Sequence, residues 1–280
     1  MLRTRIITAI FLLAGLLWAL FFLSREGWTA FCALLCVVAA WEWGGLAGWN
    51  EKTRSAYAVA LGGICFACAD SLGRSNAVGW VFMLDRTLVC LAAAFWVVVV
   101  PFWLWRKWAL RSWIVALTGV VALVPPASTL AALRNIDPMM VLGILAIVWV
   151  ADIAAYFSGR AFGGKKLAPN ISPGKTWAGA FGAAVGVMAY GNGMMLTVLK
   201  PESGGAFEGL FENFTATLVF QLALIALTAL SIIGDLFESL LKRQAGVKDS
   251  GNLLPGHGGI LDRIDSLTST LPFFGLMTLI

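Results

Sequence analysis

TATLVFQLALIALTALSIIGDLFESLLKRQAGVKDSGNLLPGHGGILDRIDS, residues 215–266, passes from a long apolar run into dense charge. The run 215–241 is long enough to cross a bilayer as a helix. From residue 234 onward, Asp235, Glu238, Asp249, Asp262 and Asp265 stand beside Lys242, Arg243, Lys248 and Arg263, with the chain's only histidine, His257, among them. A solvated loop accounts for charge in general but not for its arrangement. At 100° per residue, Asp235, Glu238 and Lys242 fall on one helical stripe whose other positions are Leu, Phe and Ile. Asp262 and Asp265 share a face if their segment is helical. Between these arms a turn-rich connector carries Gly246, Gly251, Pro255, Gly256, Gly258 and Gly259, which lets backbone amides approach an anion closely. Carboxylates are hard oxygen ligands suited to Mg²⁺, and Lys and Arg neutralise phosphate. The combination reads as a metal–phosphate site at a membrane surface.

Outward from this stretch the chain is mostly apolar. Of 280 residues, 60% are hydrophobic and 12% charged, about half the charged share of a soluble domain. Nine candidate spans recur, at 6–23, 28–48, 56–68, 87–104, 112–133, 139–157, 178–199, 215–241 and 267–280; the third is short, and the last has few residues before the chain stops. The expectation is an all-α, polytopic integral membrane protein of about nine transmembrane helices. Residues 1–135 supply N-terminal helices and 136–280 a catalytic region, within one integral domain. Arg3 and Arg5 before the first run resemble a secretory signal, but no small-residue cleavage site follows, so a retained helix is expected.

The net charge of +5 is not arranged as a basic block interleaved with aromatics, which argues against nucleic acid. Lys and Arg instead set topology. Arg3, Arg5, Lys52, Arg54, Arg106, Lys107, Arg111, Arg160, Lys165, Lys166, Lys175, Lys242, Arg243, Lys248 and Arg263 fall on one side, against Arg25, Arg74, Arg86, Arg134 and Lys200 on the other. The connection 201–213 on that second side is acidic. The basic side is therefore expected to be cytoplasmic, and both polar loops land on it. The five cysteines sit in apolar surroundings; Cys65 and Cys68 form a CxxC pair with no second pair or histidine to complete a zinc site.

The other polar loop is DIAAYFSGRAFGGKKLAPNISPGKTWAG, residues 152–179. Asp152 is read at the end of an apolar helix, sharing a face with Tyr156. An aspartate at mid-bilayer costs about 2.5–3.5 kcal/mol, so it has either a partner, a task, or headgroup water within reach. Ser172, Pro173, Gly174, Lys175 and Thr176 present hydroxyls and an amine just before a helix, whose N-terminus attracts phosphate. The glycine spacing of a Walker motif fails at Pro169. Glu42, between Trp41 and Trp43, either lines the site or marks the interfacial end of the second span. Asp70 and Asp85 are read as solvated loop residues. For His257 three roles stay open (general base, phosphate ligand, structural donor), with a phosphate contact favoured.

The segment 239–265 resembles the phosphatidate cytidylyltransferases, the CDP-diacylglycerol synthases. That family's signature, S-x-x-K-R-x-x-x-x-K-D followed by H-G-G-x-x-D-R-x-D, is met by Ser239, Lys242, Arg243, Lys248, Asp249, His257, Gly258, Gly259, Asp262, Arg263 and Asp265. The loop SPGKTW at 172–177 also resembles the family's cytoplasmic segment, with Ala178 departing from the polar residue that often follows the Trp. The resemblance implies conversion of CTP and phosphatidate to CDP-diacylglycerol and pyrophosphate, with Mg²⁺ and potassium as the cations. It implies Asp235 and Asp262 as metal ligands, with Asp249 and Asp265 nearby. Lys242, Arg243, Lys248 and Arg263 then grip phosphates, and Asp152, Ser172, Lys175, Thr176, Ser239, Gly258 and Gly259 line the substrate pocket. The partners expected are CTP, phosphatidate and the lipid of a bacterial inner membrane, in a homodimer. The rival from another class is an ion-coupled transporter with Asp152 and Asp235 as relay groups.

Overall fold

The computed structural model describes residues 2–72, 79–109, 111–197 and 214–277. Ten α-helices carry nearly all of it: α1 (Leu2–Phe22), α2 (Arg25–Leu46), α3 (Glu51–Leu72), α4 (Trp80–Ala94), α5 (Val100–Arg106), α6 (Ser112–Ile136), α7 (Pro138–Phe162), α8 (Trp177–Thr197), α9 (Phe214–Gln244) and α10 (Leu261–Met277). A π turn at Phe95–Val99 joins α4 to α5, so Trp80–Arg106 is one continuous helical stretch. Six helical stretches are long and apolar enough to cross a membrane: Arg3–Phe22, Arg25–Leu46, Trp80–Arg106, Ser112–Ile136, Pro138–Phe162 and Thr215–Gln244. The chain is an α-helical integral membrane protein. As far as they are described, the expected spans at 56–68, 178–199 and 267–280 are also helical, within α3, α8 (to Thr197) and α10 (to Met277), but they are not among those six. The acidic connection 201–213 and Arg74 lie outside the described residues.

The chain forms two compact units, Met1–Leu142 with Ile233–Ile280, and Gly143–Ile232. In the first, α2, α3, α4, α6 and α10 pack together. Indole N–H groups buried in apolar surroundings must find acceptors. Trp28 donates to the Leu130 carbonyl at 3.3 Å and Trp43 to the Val115 carbonyl at 2.8 Å. Phe237 is wrapped by Trp43, Phe95, Trp96 and Trp103, with ring centroids 5.3–6.3 Å away. Asp85 is not a solvated loop residue: it is buried in α4 and accepts from Ser128 Oγ on α6 at 2.7 Å. Its sequence neighbourhood looks like a helix mouth only because the helix begins earlier than its apolar run.

α10 explains its own low hydropathy. Ser266, Thr268, Ser269 and Thr270 are all buried, and Ser269 and Thr270 return their hydroxyl protons to the Ser266 carbonyl at 2.9 and 3.0 Å. Small back-bonded hydroxyls let a helix sit deep among others without unpaired polar atoms.

In the second unit, α7 and α8 meet along glycines. A Cβ on Gly179 would lie 2.9 Å from the Ala155 carbonyl oxygen, and one on Gly186 would lie 2.7 Å from Ala154 Cβ. A Cβ on Gly182 would overlap Ser158. This is small-residue packing of the kind that membrane helices use for close approach. Asn192 and Gln221 exchange amide hydrogen bonds at 2.8 and 3.3 Å between α8 and α9. Asp152 falls within α7 rather than at its end, because the helix runs on to Phe162. An antiparallel hairpin, β1 (Lys166–Ala168) and β2 (Ser172–Thr176), precedes α8.

Candidate active site

Helix α9 carries the first arm. It continues through Gln244, so Asp235, Glu238 and Lys242 do lie on one stripe, with Ser239 Oγ donating to Asp235 Oδ1 at 3.3 Å. The opposite side of the helix is fixed by the aromatic nest around Phe237. α10 carries the second arm. A Cβ on Gly234 would stand 2.7 Å from the Asp265 carbonyl oxygen, while Lys242 Nζ donates to Asp262 Oδ1 at 2.5 Å. Rising numbers on α9 therefore meet falling numbers on α10: the helices run antiparallel, and their carboxylates face the same seam. Asp235 sits next to the closest approach.

Lys242 is the hub. Its ammonium bridges Glu238, one turn back, and Asp262. Glu238 is 3% exposed, lies within Coulombic reach of Asp265 and Asp262, and has, among the described residues, no hydrogen-bond donor on either oxygen beyond that ion pair. Asp262 is better served. Its Oδ2 accepts from the Ser250 N–H at 2.9 Å, Ser250 Oγ at 3.0 Å and the Gly259 N–H at 2.8 Å. Burial pushes the Asp262 carboxyl up, but the Lys242 ammonium and the Gly259 N–H outweigh it, leaving it below the ordinary carboxylate range.

Gly251, Gly258 and Gly259 of the connector lie against carboxylates of the protein itself. Gly258 takes φ +83°, and a Cβ there would lie 2.6 Å from Asp262 Oδ2. A Cβ on Gly259 would lie 2.6 Å from Glu42 Cδ. His257 donates its backbone N–H to the Leu254 carbonyl at 2.9 Å, and its Nδ1 is buried with no hydrogen-bond partner among the described residues. Arg243, Lys248, Asp249 and Arg263 are exposed around this turn. Pro255 accepts from Thr8 Oγ1 of α1 at 3.2 Å.

Glu42, from α2, is the residue that sequence reasoning underweighted. It is 1% exposed and accepts from the Ile260 N–H at 3.1 Å, the Leu261 N–H at 2.8 Å and Ser250 Oγ at 3.0 Å. A carboxylate between two tryptophans inside a span was the available signal. Ser250 gave no signal, because its role exists only once α2 and α10 meet. Among the described residues no three His, Cys, Asp or Glu side chains are grouped to hold a metal ion.

In the other unit, the hairpin feeds α8 as the sequence implied. Thr176 Oγ1 accepts from the Gly179 N–H at 3.1 Å, so this hydroxyl caps the helix. Ser172 and Lys175 are half-buried on β2, and Asp152 is exposed on α7.

The sequence model of the Cytidylyltransferase family matches residues 3–280. A phosphatidate cytidylyltransferase of Pseudomonas aeruginosa is 36% identical over 99% of this chain and 97% of its own length. One of Haemophilus influenzae is 34% identical over 98% of this chain and 97% of its own, and one of Brucella suis 38% identical over 96% and 90%. These similarities give no support to the transporter alternative. A full-length match to the family, with its signature residues gathered at the α9–α10 seam, makes this chain a member of the Cytidylyltransferase family.

Proposed function

We propose that the chain transfers the cytidylyl group of CTP to phosphatidate, yielding CDP-diacylglycerol and pyrophosphate. The observation that carries this reading is the α9–α10 seam, where Glu238, Lys242 and Asp262 form a largely buried charged triad, with the exposed cations Arg243, Lys248 and Arg263 on the same segment. A phosphate oxygen of the lipid forms a bond to the α-phosphorus of CTP, and the bond from that phosphorus to the β-phosphate oxygen breaks. Two polyanions must therefore meet, so the protein's work is neutralisation and alignment. Arg243, Lys248 and Arg263 are assigned to the phosphates, with His257 Nδ1 as a further contact. Lys242 is assigned to hold Glu238 and Asp262 in place rather than to reach outward. The acyl chains stay in the bilayer.

Mg²⁺ belongs to this reading, with Asp235 and Asp262 as its ligands and Asp249 and Asp265 close by; potassium is the second cation. The chemistry of this donor set suits a hard cation, since all four residues offer carboxylate oxygens. Bound Mg²⁺ would offset charge on the phosphate oxygens and stabilise the departing pyrophosphate. On the hairpin, Ser172 and Lys175 are assigned to a substrate phosphate, and Asp152 to a polar wall.

Counting α3, α8 and α10 with the six apolar helices gives nine crossings, with the site on the cytoplasmic face of the inner membrane. The basic loops support this orientation. A homodimer belongs to the same reading, checked by the mass of the detergent-solubilised particle. The test of function is pyrophosphate release from CTP, phosphatidate and Mg²⁺ by purified protein. Asp262→Asn is expected to abolish release; unaffected release rejects the metal-ligand assignment. Turnover with another nucleotide but not CTP rejects the substrate and keeps the chemistry.

A further inference from the structure

We propose that Glu42 of α2 is a positioning residue for this reaction, anchoring the start of α10 and, through Ser250, fixing the orientation of Asp262. The inference rests on the cytidylyl-transfer reading above. Taking a carboxylate out of water is costly unless donors replace the lost hydration. Here the replacements are specific. Two consecutive backbone N–H groups, of Ile260 and Leu261, point at Glu42 where α10 begins, a place that attracts negative charge. The third donor is the Ser250 hydroxyl, 3.0 Å from Glu42 Oε2 and also 3.0 Å from Asp262 Oδ2. A hydroxyl has one proton, so Ser250 joins the two carboxylates as a shared link and not as two independent bonds.

Sterics point the same way. A Cβ on Gly251 would lie 2.5 Å from Glu42 Oε1, and one on Gly259 would lie 2.6 Å from Glu42 Cδ. The glycines on either side of the turn leave room for this one side chain. Asp262 in turn receives the Gly259 N–H and the Lys242 ammonium. Moving Glu42 thus moves the turn, the helix start and Asp262 together, although 219 residues separate it from Leu261. Glu42 itself touches no reacting atom in this reading.

The test uses full-length protein in detergent with CTP, phosphatidate and Mg²⁺. Glu42→Gln keeps the shape but turns an amide NH₂ toward donors; Ser250→Ala removes only the link. Both are expected to lower kcat on the order of 10–100-fold, the range seen when a ligand's orienting partner is lost, with KM for CTP nearly unchanged. The double variant is expected to fall no further than the worse single one, because the two act through one connection. Glu42→Gln is also expected to speed amide hydrogen exchange at residues 259–261, an activity-independent readout. Wild-type kcat in Glu42→Gln, or multiplicative losses in the double variant, overturns the proposal. If Glu42→Gln does not fold, Ser250→Ala decides alone: an unchanged kcat overturns it, a loss at constant KM supports it. A wild-type chain without turnover overturns the cytidylyl-transfer reading and this inference with it, whereas an active wild type with an unaffected Glu42→Gln sinks only the latter.

Discussion

Gly258 and Gly259 are adjacent but irreplaceable for different reasons. Gly258 holds φ +83°, where a side chain costs about 1–2 kcal/mol, and its missing Cβ leaves space for Asp262. Gly259 has no such backbone demand and is small because Glu42 lies against it. Gly259→Ala is therefore expected to destabilise by about 1–3 kcal/mol through overpacking, read by thermal unfolding in detergent. Gly258→Ala is expected to abolish pyrophosphate release as well, since it displaces Asp262; release at the wild-type rate would refute that. The sequence made the acidic cluster legible, because charge on a periodic stripe is rare in an apolar chain. It pointed the glycines at a substrate anion; the structure adds that Gly258 and Gly259 lie against Asp262 and Glu42 of the protein itself. Glu42 stayed ambiguous for a physical reason: periodicity reports on neighbours within a helix, and its donors lie on another one.

Helices were legible in the same way, through uninterrupted apolar length. The hairpin Lys166–Ala168 with Ser172–Thr176 was not, because its strands are short, basic and interrupted by glycine and proline. What α8 does at its start follows from Thr176, whose hydroxyl covers the Gly179 N–H. Thr176→Ala is expected to cost about 1 kcal/mol, the usual value of a lost cap, whereas Thr176→Ser should retain most of it; chemical denaturation of the two variants distinguishes them. Along α8, Gly182→Leu should abolish folded protein on size exclusion, since its Cβ meets Ser158 on α7. Gly15→Ala, on α1 with nothing within 4 Å, should be neutral or slightly stabilising. α10 was read as a doubtful crossing from its length. Its hydroxyl residues, buried and self-bonded, are what allow it to lie among other helices despite its low hydropathy.

At the scale of the whole chain, the basic loops predict a single orientation. Cys32, Cys36, Cys65 and Cys68 are buried, and Cys90 is exposed within the apolar stretch Trp80–Arg106, where a membrane-impermeant reagent is not expected to reach it. A Lys248→Cys variant should therefore be the one site labelled by a membrane-impermeant maleimide, and only in inside-out vesicles. Labelling in right-side-out vesicles would invert the topology. The link between Glu42 and the start of α10 has a consequence for biogenesis. The acceptor leaves the ribosome 218 residues before its Ile260 donor, roughly 10–40 s of synthesis. Throughout that interval a carboxylate that ends up buried in the protein lacks its Ile260 and Leu261 donors, so α2 must keep it near water until α10 arrives. A nascent chain released before α10 would carry this carboxylate without its two backbone donors and would lack the α9–α10 seam altogether.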